Sequence, residues 1–386
     1  MVFLIIFLLS LVIRFFVLID LAQVDPIPAG SDMLTYYAQA LGIFNGSYSV
    51  SGPFYYHPLM PYLIALSFNL FGVSPLSGQI LNCIVGSLSC GIFAVTAVRY
   101  FDRYQGYLVG LLIASYQGFV YQSTLLLDTA YTSLCLAVTL LFLSRLSYLR
   151  TGIGSLVLSI GILGRSNLIV VLFFSFLSFL TRKLYKHSLI LILCSAIIVL
   201  PVLLWNLNFG VLGIVSSGPI NLWIGNHLGA SGFYSDPPVG FDITEAILEF
   251  KAFVLEHPFE WLILCLRKIA LLLFLPDSAF IEQGQIQTYG LPFSPLLDWL
   301  PSYWFYMSTF VLGLLTVRLP SALISQLRLI FIPYSLTFIL FFVESRFRVP
   351  VICGMVFVSG GVVRDVFDRA VNLIVRRSAS PPQDQV

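Results

Sequence analysis

Ala29-Gly-Ser-Asp32-Met-Leu-Thr-Tyr36-Tyr37-Ala-Gln-Ala-Leu-Gly42 and its sequel Tyr55-Tyr56-His57-Pro58-Leu-Met-Pro61-Tyr62 form a polar, aromatic, acid-bearing stretch between long apolar segments. Leu34, Tyr37, Ala38 and Leu41 follow Asp32 with helical spacing. Two readings fit these residues. Asp32 is either the N-cap of a short helix in a solvated loop, or a carboxylate held beside the bilayer because a pathway or a reaction needs it there.

The surroundings decide what kind of protein carries this stretch. Charged residues make up 10% of the chain and hydrophobic ones 58%, and the mean hydropathy is +0.94. A soluble domain carries roughly 25% charge, so the sequence reads as an all-α, polytopic membrane protein. A net charge of +2 with no basic cluster on a soluble segment gives no footing for nucleic acid. The six cysteines, Cys83, Cys90, Cys135, Cys194, Cys265 and Cys353, all lie in apolar runs without a CxxC spacing. They read as small buried hydrophobes rather than zinc ligands or a disulfide framework. The apolar N-terminus has Arg14 in its middle rather than a basic lead before it, which reads as a retained first span and not a cleaved signal.

About 20 apolar residues are needed to cross a bilayer as a helix. Segments near 2–22, 76–98, 105–126, 130–149, 188–209, 303–317, 324–343 and 349–363 qualify or nearly so. The run 152–181 is broken at Gly164-Arg165-Ser166-Asn167 and reads as a hairpin of two short helices, which brings the expectation to about ten spans. The segment 58–72 is short and proline-flanked and reads as an interfacial helix. Residues 258–275 carry Arg267 and Lys268 at their centre and read as a helix that dips into the outer leaflet and returns. Arg99, Arg103, Arg145, Arg150, Arg182, Lys183, Lys186, Arg318, Arg328, Arg364, Arg369, Arg376 and Arg377 fall in one alternating set of loops, whereas 20–57 and 276–302 hold no Lys or Arg. The positive-inside rule then puts both termini in the cytoplasm. The expected organisation is one transmembrane domain over 1–377, in a plasma (inner) membrane, with external loops 23–75 and 210–302 and a short disordered tail at 378–386.

Seven cations remain outside the cytoplasmic set: Arg14, Arg165, Lys251, Arg267, Lys268, Arg346 and Arg348. Each intramembrane cation costs at least ~2.5–3.5 kcal/mol on insertion scales. Snorkelling to outer headgroups accounts for Lys251 and one of Arg267 and Lys268. It suits Glu344-Ser-Arg346-Phe-Arg348-Val-Pro350 less well, because three charges crowd one helix junction there. An anionic ligand is one way to supply the missing counter-charge.

Several pieces, in order, resemble a known family. They are Asp32-x3-Tyr36-Tyr37-x2-Ala40, His57-Pro58-Leu-Met-Pro61-Tyr62 with Phe71-Gly72, Leu127-Asp128-Thr129 and Gly161-Ile-Leu-Gly-Arg165-Ser-Asn167. Asn221-Leu-Trp223-Ile-Gly225-Asn226-x2-Gly229-Ala-Ser-Gly232-x-Tyr234, Glu256-His257-Pro258 and Arg346-Phe-Arg348-Val-Pro350 complete the set. Together they resemble GT-C superfamily glycosyltransferases of the family-39 type, the group of the protein O-mannosyltransferases and the lipid A aminoarabinose transferase. The resemblance implies a bundle of about ten transmembrane helices with external juxtamembrane helices. It also implies transfer of a sugar from a polyprenyl-phosphate donor, usually with inversion, on the external face. Asp32 matches the acid assigned as catalytic base and Asp128 a second acidic position. Two departures stand out: Met33 replaces the second acid of the frequent Asp-Glu pair, and His57-Pro58-Leu59 replaces the Lys-Pro-Pro of the aminoarabinose branch.

Residue chemistry runs alongside. Moving a sugar from a lipid phosphate to a hydroxyl needs a base for the hydroxyl proton and fixed cations for the charge gathering on the departing phosphate. Arginine forks meet phosphate oxygens in pairs. The expected donor-phosphate ligands are Arg346, Arg348 and Arg165, with Arg267 and Lys268 next. The expected sugar or acceptor contacts are Tyr36, Tyr37, Tyr56, His57, Asn221, Trp223, Asn226 and Tyr234. The alternative for Asn221–Tyr234 is a mobile loop, and for Asp128 the N-cap of the span that follows. No spacing among Asp32, His57, Asp128 and His227 matches a metal signature, so no obligatory metal or cofactor is expected and a catalytic divalent cation stays open. The expected partners are a polyprenyl-phosphate-linked sugar, an acceptor glycan, lipid or protein, and the bilayer. A transporter or flippase for a lipid-linked or anionic substrate is the rival reading, although the chain shows none of the matching halves such proteins usually have.

Overall fold

The computed structural model describes residues 1–21, 27, 31–238, 240–275 and 294–379. Residue 22, parts of both expected external loops (23–26, 28–30, 239 and 276–293) and the tail from 380 lie outside the described residues. Among the described residues the chain is helical, with no strand.

Ten stretches run between two ends of one bundle. They are α1 (Val2–Leu21), α4 (Pro75–Tyr100), α5 with α6 (Arg103–Ser115, Gln117–Ser123), α7 (Thr129–Leu143), α8 (Tyr148–Gly164), α9 (Ile169–Thr181), α10 (Tyr185–Leu207), α14 (Tyr303–Thr316), α15 (Ser321–Leu340) and α16 (Ser345–Ala379). Five of these helices (2–21, 75–100, 185–207, 321–340 and 345–372) are each long and apolar enough to cross a membrane. Others are shorter; α9, with 13 residues, rises only ~20 Å at ~1.5 Å per residue.

Side-chain ties define the two ends. At one, Arg99 donates to the Leu141 carbonyl at 2.7 Å and Arg182 to Ser325 Oγ at 2.7 Å. At the same end Thr151 meets His187 at 2.7 Å, and Arg364 pairs with Asp102 at 2.7 Å. These are the junctions that the basic loops occupy. At the other end lie Asn82, donating to the Leu127 carbonyl at 3.0 Å, Asn167, donating to Thr337 Oγ1 at 3.3 Å, and the start of α16. The junctions that carry the basic loops thus gather at one end, as the loop charges suggest.

Four helices stay at the less basic end: α2 (Asp32–Phe44), α3 (Leu59–Phe71), α11 (Gly218–Gly225) and α12 (Ile243–Glu256), with α13 (Pro258–Phe274) leaning into the bundle beside them. Residues 32–44 are not a solvated loop. Met33, Tyr36 and Ala40 of α2 are buried in a core of their own with Met60, Ile64 and Phe68 of α3, and that core closes over Val17, Leu21 and Leu125–Leu127. Ser31, not Asp32, caps α2: its side chain accepts from the Leu34 N–H at 3.3 Å. That removes the N-cap reading of Asp32. At 258–275 the structure has one unbroken helix, so the segment contains no turn at which it could dip and return. A capping box of Asp242 and Glu245 starts α12.

Arg14 is fully buried in the bundle. Its guanidinium meets only neutral groups, Ser10 Oγ at 2.5 Å and Cys90 Sγ at 3.7 Å, and lies 4.6 Å from the centre of the Phe119 ring. Gly86 makes the room: a Cβ there would stand 3.0 Å from Arg14 Nε and 2.6 Å from Ser123 Oγ. Arg14 therefore belongs to helix packing, and it does not line the cavity described below.

Candidate active site

Between α2, the α6–α7 junction, the α8–α9 turn, α11 and the α15–α16 junction lies a cavity of about 180 Å³. Asp32, Tyr36, Tyr56, His57, Asp128, Arg165, Asn221, Tyr234 and Arg346 all line it. These residues span more than three hundred positions of sequence, and the fold delivers them from α2, α11 and the connections between helices.

Two ion pairs organise the charge. Asp128 stands at the N-cap position of α7 but makes no side-chain cap bond. Its carboxylate instead takes both Nε (2.6 Å) and Nη2 (2.8 Å) of Arg165. Both side chains are almost wholly buried, at 8% and 5% exposure for Arg165 and Asp128. Burial pushes the Asp128 carboxyl up, but the adjacent Arg165 more than offsets this and holds it below the ordinary carboxylate range. In the second pair Arg346 Nη1 reaches Asp32 Oδ2 at 3.1 Å, while its Nε holds Glu344 Oε2 at 2.6 Å. Burial raises the Glu344 carboxyl, and Arg346 draws it back only in part. Phe347 sits between the two arginines, its ring centre 4.5 Å from the Arg165 guanidinium carbon and 5.2 Å from that of Arg346.

His57 is held from one side. Its Nε2 accepts the Ser166 backbone N–H at 2.9 Å and lies 3.2 Å from Ser166 Oγ. A nitrogen that accepts carries no proton, which makes the ring a neutral Nδ1–H tautomer. Burial lowers its pKa from 6.5 to about 4, in the same sense. Tyr36, Tyr56 and Tyr55 line the wall beside Asp32 edge to face, with ring centres 5.8 and 4.9 Å apart. Aromatic faces of this kind pack well against the C–H face of a sugar.

Other expected site residues lie elsewhere. Tyr37 packs edge-on against Phe68, 5.7 Å between ring centres. Arg348 is buried behind the site, with Nη1 on the carbonyls of Leu272 and Leu275 and its guanidinium 3.6 Å from the centre of the Tyr303 ring. Arg267 is exposed on α13. Lys268 is fully buried and donates to Asn226 Oδ1 at 2.8 Å and to the Ile339 carbonyl at 3.0 Å. Asn226 also donates to the carbonyls of Leu222 (2.8 Å) and Leu340 (2.5 Å) and accepts from Trp261 (3.1 Å), so its amide is used up in holding the loop. Trp223 stacks on His227 at 4.2 Å and donates to Glu249 at 2.5 Å, bracing α11 against α12. These residues hold the 225–234 loop against the α15–α16 junction, where Val343 N–H donates to the Gly232 carbonyl at 2.8 Å. Tyr234 is thereby carried to the cavity.

Glu344, Phe347, Ser166 and Tyr55 join the site without having been singled out. For Glu344 a signal was present in the three charges crowding the 344–348 junction; for Ser166 it was the polar break in the apolar run. Among the described residues no group of three or more His, Cys, Asp or Glu side chains forms a metal-binding cluster. Both cavity carboxylates, Asp32 and Asp128, are engaged by arginines.

The family model of dolichyl-phosphate-mannose-protein mannosyltransferases matches residues 52–205. No curated protein matches the chain. Among solved structures, the oligosaccharyltransferase of Archaeoglobus fulgidus, in a complex with zinc and sulfate, aligns over 99% of this chain and 52% of its own length, with a TM-score of 0.56 and 15% identity. ArnT from Cupriavidus metallidurans, bound to undecaprenyl phosphate, aligns over 97% of this chain and 63% of its own, with a TM-score of 0.55 and 12% identity. The chain shares the fold of these two proteins. AglB of Archaeoglobus fulgidus, in complex with an inhibitory peptide and a dolichol-phosphate, agrees, at a TM-score of 0.55 and 17% identity over 100% of this chain. Against these three structures the chain spans between 52% and 63% of their length. In this chain, a polytopic membrane protein, the cavity lies at the end of the bundle away from the basic loops.

Proposed function

We propose that this protein is a membrane glycosyltransferase that moves a hexosyl or pentosyl group from a polyprenyl-phosphate donor to an acceptor hydroxyl on the external face, with inversion. The observation that carries the reading is the Asp32–Arg346 pair, 3.1 Å apart in one cavity: a carboxylate to take a proton beside a cation to take an anion. The acceptor oxygen forms its bond to the anomeric carbon as the bond from that carbon to the phosphate oxygen breaks, and the electron pair leaves with the phosphate. Asp32 takes the acceptor proton, and Arg346, with Arg165 behind Phe347, stabilises the departing phosphate. Tyr36, Tyr55, Tyr56, His57, Asn221 and Tyr234 surround the space left for the sugar and the acceptor. No step is routed through a metal.

That ArnT is bound to undecaprenyl phosphate and AglB to a dolichol-phosphate supports the donor class; the acceptor is a glycan, a lipid or a protein. Mass spectrometry of lipid copurifying with the protein tests the reading. A polyprenyl phosphate, and sugar transfer from a polyprenyl-phosphate sugar to an added acceptor, are the expected results. Bound lipid without transfer, together with its movement across reconstituted vesicles, would replace this reading with that of a flippase.

A further inference from the structure

Three carboxylates, Asp32, Asp128 and Glu344, surround two guanidiniums, Arg165 and Arg346. Asp128 already takes a whole edge of Arg165. Arg346 is bound differently: Glu344 holds Nε at 2.6 Å, Asp32 holds Nη1 at 3.1 Å through a single oxygen, and Nη2 between them has no partner among the described residues. Asp32 and Arg346 line the cavity and Glu344 does not. The Asp32 side chain is also the most exposed of the three, at 36% against 15% for Arg346 and 21% for Glu344.

We propose that Glu344 is a positioning residue: by holding Arg346 Nε from behind, it presents the Nη1–Nη2 edge to the cavity, where an anionic phosphate takes that edge from Asp32 and so frees the carboxylate. This deepens the proposed function and rests on it. A planar guanidinium held at Nε cannot turn without breaking that bond, so its open edge stays aimed at the site. Nη1 is shared by two anions that compete for it. With no donor bound, an Asp32 oxygen is occupied by Arg346 Nη1; with the phosphate on Arg346 that oxygen is released beside the acceptor. Donor binds first, and its arrival readies the base.

Binding of undecaprenyl phosphate to the purified full chain in nanodiscs tests this with three variants, each checked for monodispersity and melting temperature. Asp32→Asn removes the charged competitor and keeps the Ser31 cap, so it should bind the lipid phosphate ~3–10-fold more tightly, the span of one net hydrogen bond at a partly exposed pair. Glu344→Gln still accepts from Nε and should bind at least as well as wild type. Glu344→Ala removes the same charge but lets the guanidinium swing, and should bind ~10-fold or more weakly, as for truncation of one partner of a charge pair. Equal tightening by both Glu344 variants would mean that Glu344 only repels the anion, and would overturn the proposal. An unchanged Kd in Asp32→Asn would overturn it as well, and that variant keeps the test open should Glu344→Ala not survive purification. Failure of the wild-type protein itself to bind the lipid phosphate is a different result: it removes the proposed function, and this inference with it.

Discussion

Ser31 and Asp32 divide two tasks that one small polar residue often combines. Ser31 satisfies the first turn of α2, which leaves the Asp32 carboxylate to face Arg346. Asp32→Asn should therefore leave the melting temperature close to wild type while lowering sugar transfer by ~10²-fold or more, the span usual for a lost general base; near-wild-type transfer on purified protein would remove Asp32 from the chemistry. Asp128 behaves in the opposite way. Its removal strands a buried guanidinium, so Asp128→Ala should lower stability by about 3–5 kcal/mol, the usual result of breaking a buried pair, and thermal unfolding reads this directly. His57 contributes through protons. The unfolded imidazole binds a proton near its ordinary 6.5 and the folded one only near 4. Between those values the unfolded state binds more protons, so stability falls as pH drops through this window. His57→Gln lacks the effect, and its melting temperature should fall less than that of wild type between pH 6.5 and 4; parallel curves would mean that His57 is not held neutral.

At the scale of elements, the sequence showed more of the helices than of what they carry. Apolar length gave the spans, and the break at Gly164–Asn167 gave the turn that supplies Arg165. The charges of 344–348 marked the helix junction, but not their directions. Arg346 and Arg348 are two residues apart, about 200° around a helix at ~3.6 residues per turn, so one faces the cavity and the other Tyr303. Which is which depends on how α16 is rotated against α13 and α14, and no local pattern encodes that. The Asn221–Tyr234 segment shows the same limit: composition read it as a sugar-contacting loop, whereas Trp223 and Asn226 serve to fix it in place. Gly225 is part of that fixing, since a Cβ there would lie 2.4 Å from the Phe341 carbonyl oxygen. Gly225→Ala must push the loop away from the α15–α16 junction. It should raise KM for the sugar donor severalfold while Asp32 and its pairing stay in place; unchanged kinetics would show that Tyr234 needs no such anchoring.

Across the whole molecule, the basic junctions gather at one end and the cavity opens at the other, so a single orientation in the membrane accounts for both. In a cysteine-free background, Ser47→Cys should react with an impermeant thiol reagent added to intact cells, and Leu149→Cys only after lysis; the reverse pattern would invert the molecule. The pairing that spans this architecture joins residues 314 positions apart in the chain, Asp32 at its beginning and Arg346 in α16. At ~5–20 residues per second a ribosome needs roughly 15–60 s to travel that far. For all of that time the acid of the first loop has no arginine to meet. The pair is thus assembled from opposite ends of the chain's own synthesis, and a chain released before α16 enters the bilayer holds the acid without its arginine.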